Sequence, residues 1–136
     1  MKTEYIDVRG KWGIVVCYDL LRKDVRYMRA LMESVGMDSD DIDEALRILL
    51  YHENTGMCVT NPELKMSLVF VGEATGEDQW WDTMAHEVLD HAKVAILDYY
   101  GIPLRGEDSA WLTGYLMRRT VQLIAPPCRR QALQDP

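Results

Sequence analysis

Cysteine is scarce in this chain: there are three, Cys17, Cys58 and Cys128. They are odd in number and far apart, which argues against a disulfide framework. No two have the close spacing of metal ligands, so each reads as a free thiol. Long apolar runs are missing as well. None approaches the roughly 20 residues that a membrane-spanning helix needs. The opening run Met1-Lys2-Thr3-Glu4-Tyr5-Ile6-Asp7 carries charge where a secretory signal would need an apolar stretch. These absences lead to the expectation of a cytoplasmic protein with no membrane partner. Clustered basic residues are also lacking, and the formal net charge is −7. Neutralising a phosphate backbone takes grouped Lys and Arg, so nucleic acid is not expected as a partner. There is no internal repeat and no low-complexity segment.

What is present suffices for one folded unit. The chain has 136 residues, 48% of them hydrophobic, enough for a single domain with a genuine core. Alternation in Gly13-Ile14-Val15-Val16-Cys17-Tyr18 predicts a strand. Tyr5-Ile6-Asp7-Val8 is expected to pair with it as a hairpin through Arg9-Gly10-Lys11. Val25, Met28, Leu31, Met32 and Val35 recur at helical spacing, and Gly36 ends that helix. Asp38 is a good N-cap for the next, whose first turn carries Asp40, Asp41, Asp43 and Glu44 where the helix dipole favours negative charge. Asn54-Thr55-Gly56 stops it. Met57 to Thr60 and Lys65 to Val71 read as strands joined by Asn61-Pro62-Glu63. A long helix is expected from about Asp78 to Tyr100, and a final one from about Glu107 to Ile124. The order predicts an α+β domain over residues 1–127, with a small, mostly antiparallel sheet packed against about four helices. A frayed polar tail is expected over 128–136.

Two of the three histidines fall in His86-Glu87-Val88-Leu89-Asp90-His91, inside the long helix. Two imidazoles and a later carboxylate form a set of zinc ligands that leaves a coordination position open. Glu107, in the first turn of the last helix, is the candidate third ligand. Glu87 stands beside the first histidine, where metal-dependent hydrolysis places its general base. The spacing is unusual. Five residues at about 100° each leave side chains about 140° apart on a regular α-helix. The histidines can converge only if the helix holds one extra residue, as in a π-bulge, a rare feature that favours functional sites. On a regular helix the available pairs are His86 with Asp90, which makes Asp90 an alternative ligand, and Glu87 with His91. The bland reading makes all four residues the solvated face of an amphipathic helix, with Val88, Ala92, Ala95 and Tyr99 on the buried stripe.

The run His86 to His91 resembles the H-E-x-x-x-H zinc motif of dipeptidyl peptidase III. Glu107-Asp108-Ser109-Ala110-Trp111 matches that family's later glutamate motif only loosely. A second resemblance covers more of the chain. Thr83-Met84-Ala85-His86-Glu87, Tyr99-Tyr100-Gly101-Ile102-Pro103 and Gly106-Glu107-Asp108-Ser109-Ala110-Trp111-Leu112-Thr113-Gly114-Tyr115-Leu116 are similar to small zincin-like proteins of phages and mobile elements. Those usually show H-E-x-x-H followed by G-E-E-x-A-Y-L-x-G. This chain departs in its histidine spacing and at Asp108 and Trp111.

The resemblance implies a single zincin-like domain and a zinc ion held by His86, His91 and Glu107. Glu87 would take a proton from water and pass it to a leaving amine, and the reaction implied is hydrolysis of a peptide or protein substrate. Asp90 or Asp108 could orient a ligand imidazole. Tyr99, Tyr100 and Tyr115 are the candidate oxyanion donors. The strand before the long helix would offer an edge on which an extended peptide could lie. The alternative expectation is a non-catalytic binding or regulatory module that has lost the metal. His52, Trp80-Trp81 and Arg118-Arg119 are read as features of helix ends and core.

Overall fold

In the computed structural model, which describes residues 1–124, four strands form one sheet. They are β1 (Lys2–Asp7), β2 (Gly13–Tyr18), β3 (Gly56–Asn61) and β4 (Met66–Val71), and they lie in the order β1-β2-β4-β3. The β1–β2 and β3–β4 pairs are antiparallel hairpins, as alternation and turn residues predict. The central β2–β4 pair is parallel, so the sheet is mixed. This join explains why β2 and β4 are apolar almost throughout: a parallel pair in mid-sheet is covered on both faces. The expected end of the domain at 127 and the tail lie outside the described residues.

Residues alternate between two cores, one on each face of the sheet. On one face, α1 (Val25–Ser34) and α2 (Ser39–Tyr51) bring Met28, Met32, Ile42, Leu46 and Leu49 against Cys17, Leu68 and Phe70. Asp38 caps α2, its carboxylate accepting the Asp41 N–H at 2.9 Å. On the other face lies one helical run. It comprises α3 (Glu77–Met84), a π-helical segment (Ala85–Ala92) and α4 (Lys93–Tyr100), and Gly101 ends it in the left-handed conformation. α5 (Glu107–Leu123) then folds back beside it. These helices place Trp80, Met84, Val88, Ala92, Ile96, Leu112 and Leu116 on Ile14, Val16, Val69 and Val71.

One polar chain crosses the buried sheet. The Trp12 indole N–H donates to Ser67 Oγ at 3.1 Å, and Ser67 Oγ lies 2.8 Å from Thr60 Oγ1 on β3. Polar atoms in a dry interior need such partners. The edge beside the π segment is β3, whereas β4, which leads into the helical run, is internal. The edge expected from the strand before the helix therefore belongs to its hairpin partner.

Candidate metal centre

The helical run changes character at Ala85, just before His86. From Ala85 to Ala92 the backbone is π-helical, with the wider turn that stacks residue i+5 above residue i. The extra residue demanded by the histidine spacing is there. His86 Nε2 and His91 Nε2 come within 2.9 Å, with ring planes at 85° to one another. Two nitrogens each about 2.0–2.1 Å from a tetrahedral zinc would stand about 3.3 Å apart. The observed pair falls a few tenths of an ångström inside that, within easy reach of a small rotamer shift.

A third donor comes with them. Ligand atoms of His86, Glu87 and His91 all lie within 4.8 Å of one another. Both imidazoles are exposed, while Glu87 is 6% exposed. Burial pushes the Glu87 carboxyl above its usual range; the neighbouring His91 and His86 pull it back, and Asp90 raises it further. The cluster thus pairs two solvent-facing imidazoles with one carboxylate held close to the protein. That donor set fits a divalent transition metal, because imidazole and carboxylate are common zinc ligands.

The approach of β3 to the π segment depends on a glycine. A Cβ at Gly56 would sit 2.5 Å from Thr83 Cγ2, 3.0 Å from Glu87 Cγ and 3.2 Å from the Phe70 carbonyl oxygen. Read from the sequence, Gly56 looked like a helix stop. It is also the gap that lets Glu87 lie against the sheet, a tertiary role with no local signal. Cys58, two residues along β3, is pushed up to about 12 by burial, with Glu87 adding to the rise. It reads as an inert thiol beside the site.

The structure does not bring Glu107 into this group. Lys93 Nζ donates to Thr113 Oγ1 at 3.1 Å, and Leu89 shares a cavity with Met117 and Val121, so α5 runs antiparallel to the π segment and α4. In that pairing the residue level with His91 is near 115, and Glu107 lies eight residues away, about 12 Å along the helix axis. Glu107 and Asp108 instead line a separate cavity near the end of α4. Asp90, the alternative ligand, is also outside the cluster. The tyrosines are engaged elsewhere. Tyr100 donates to the Lys11 carbonyl at 2.6 Å, Tyr115 donates to the Asp7 carbonyl, and Tyr99 packs edge-on to Trp12. The hydroxyls of Tyr100 and Tyr115 are thus committed to the β1–β2 hairpin and not to His86 and His91. His52 caps the end of α2, Trp80 is buried against Tyr18, and Trp81 borders the apolar cavity shared with Leu89.

Among the described residues, no helix is long and apolar enough to cross a membrane. Comparison with protein-family models, with curated proteins and with solved structures finds no match for this chain.

Proposed function

We propose that this protein is a metal-dependent hydrolase, most simply a zinc peptidase of zincin-like design, with His86 and His91 as ligands and Glu87 as general base. The observation that carries the reading is the π-helical turn, which brings two histidines five positions apart to 2.9 Å beside a buried carboxylate. Such turns are rare and concentrate at functional sites. β3 adds support, because among the described residues its outer edge is unpaired, and it lies next to the π segment. An extended peptide could add to that edge by main-chain hydrogen bonds.

A bound zinc ion would supply Lewis acidity and a water acidified toward neutrality. The chain's own residues account for the rest. The two exposed imidazoles would hold the metal. Glu87, recessed against Gly56, accepts a proton at a carboxylate oxygen and returns it to the departing amine. Its raised proton affinity suits that exchange, since a general base works best with a pKa nearer the operating pH.

A second reading has its own observation. Glu87 is the third donor within 4.8 Å, and Glu107 does not approach, so Glu87 can itself be a ligand in a non-catalytic metal site. Zinc titration of the protein and of Glu87→Gln, followed by a peptide-substrate screen, separates the two. A base loses turnover by at least a hundredfold and keeps the metal. A ligand loses metal affinity. Failure of the parent protein to hold about one zinc per chain, or turnover that survives Glu87→Gln, overturns the proposal.

A further inference from the structure

A second site lies at the opposite end of the helical layer. A cavity of about 630 Å³ opens between the β1–β2 turn, the end of α4 and the start of α5. Ligand pockets are commonly about 300–1,000 Å³, with mostly apolar walls and a few placed polar groups. Here Tyr100, Ile102 and Trp111 supply the accessible apolar and aromatic surface, laid over the buried Trp12, Ile96, Leu97 and Leu112. The rim carries charge of both signs. Arg9 and Lys11 come from the turn, and Glu107 and Asp108 come from the first turn of α5.

Three observations set this rim apart from an ordinary mixed surface. First, its charges are not neutralised by one another. Among the described residues, no ion pair or hydrogen bond occupies the ends of Lys11, Glu107 or Asp108, and the Arg9 guanidinium sits 4.4 Å from the centre of the Trp111 ring. Second, the turn is tied down. Tyr100 and Tyr115, from two different helices, donate to the backbone carbonyls of Lys11 and Asp7, and the Asp7 carboxylate accepts the Gly10 N–H at 3.1 Å. Third, Arg9 and Gly10, at φ 52° and 69°, are the central residues of a two-residue hairpin turn closed by the Lys11 N–H donating to the Val8 carbonyl at 2.9 Å, which holds Arg9 beside the cavity.

From these we infer that the cavity binds a short zwitterionic peptide with apolar side chains. The carboxylate faces Arg9 and Lys11, the ammonium faces Glu107 and Asp108, and the side chains rest on Tyr100, Ile102 and Trp111. The inference does not depend on the metal centre.

The test is calorimetric titration of the full chain with L-leucyl-L-phenylalanine, with chelator present so that no metal-dependent hydrolysis consumes the ligand. Saturable binding is expected. It should weaken at least tenfold for the N-acetylated peptide and for the C-terminal amide, each of which lacks one charge. Arg9→Gly, which suits the left-handed backbone, should cost as much, and so should Glu107→Gln combined with Asp108→Asn. His91→Ala should bind as the parent does. Circular dichroism melts confirm that each variant is folded. No saturable binding at millimolar peptide, equal binding of the capped peptides, or loss of binding in His91→Ala would each overturn the assignment.

Discussion

Glu87 is a stability liability in the metal-free protein. Its carboxyl is buried, and burial raises its pKa in the folded state. The sign follows from linkage. A carboxyl whose folded pKa lies above its unfolded one favours folding only while protonated, and that contribution is lost as pH rises through the folded value. Near neutrality the charged carboxylate therefore opposes folding. Glu87→Gln removes the charge and keeps the shape. In the presence of chelator, this variant should be more stable than the parent at pH 7. The difference should vanish below about pH 4, where the carboxyl is protonated in both states. Urea denaturation at the two pH values checks this. A Gln variant no more stable than its parent at pH 7 would mean that the carboxylate is solvated after all.

At the scale of elements, the π segment was legible because the histidines are five positions apart. That spacing has one good solution if both rings must meet, and the backbone adopts it. The flanking helices and both hairpins were legible from periodicity, turn residues and caps, all of which act within a few residues. The pairing of α4 with α5 was not. Nothing local says that Lys93 will meet Thr113, and that meeting is what leaves Glu107 far from His91. The segment can be tested by shortening it. Deletion of the exposed Asp90 turns the motif into His-Glu-x-x-His, the i,i+4 spacing of a regular α-helix. Both flanks keep their faces, so the variant should fold, lose its π-helical hydrogen bonding and bind zinc at the same stoichiometry. Zinc titration reads the last point. Loss of the metal would show that the wide turn itself shapes the centre.

For the whole molecule, a bound metal should favour the folded state, because its donors converge only on the π segment that the fold holds in place. The cluster sits on the helical layer, and Glu87 reaches the sheet at Gly56. A ligand that binds only the folded state stabilises it by about 2.7 kcal/mol at one hundred times its dissociation constant. Zinc should therefore raise the melting temperature of the parent by several degrees in a concentration-dependent way, and chelator should reverse the effect. His91→Ala should show no rise. An unchanged melting temperature in the parent would deny a folded-state metal site. The parallel β2–β4 join at the centre of the sheet was the least legible feature of the fold. Alternation shows that a strand exists but not which neighbour it takes, and this join reaches across both intervening helices and β3.

The polar chain from Trp12 through Ser67 to Thr60 bears on how that join is reached. Trp12 and Ser67 are 55 positions apart, so their meeting must wait until a long loop has closed. The two hairpins can form earlier, from contacts close in sequence. If they docked one residue out of register, every inward side chain would turn outward. The indole N–H would also be left without an acceptor, at a cost of about 1–3 kcal/mol. A purely greasy seam would tolerate near-misses more readily. The Trp12–Ser67–Thr60 chain therefore penalises slipped dockings of the two hairpins and helps select the native register.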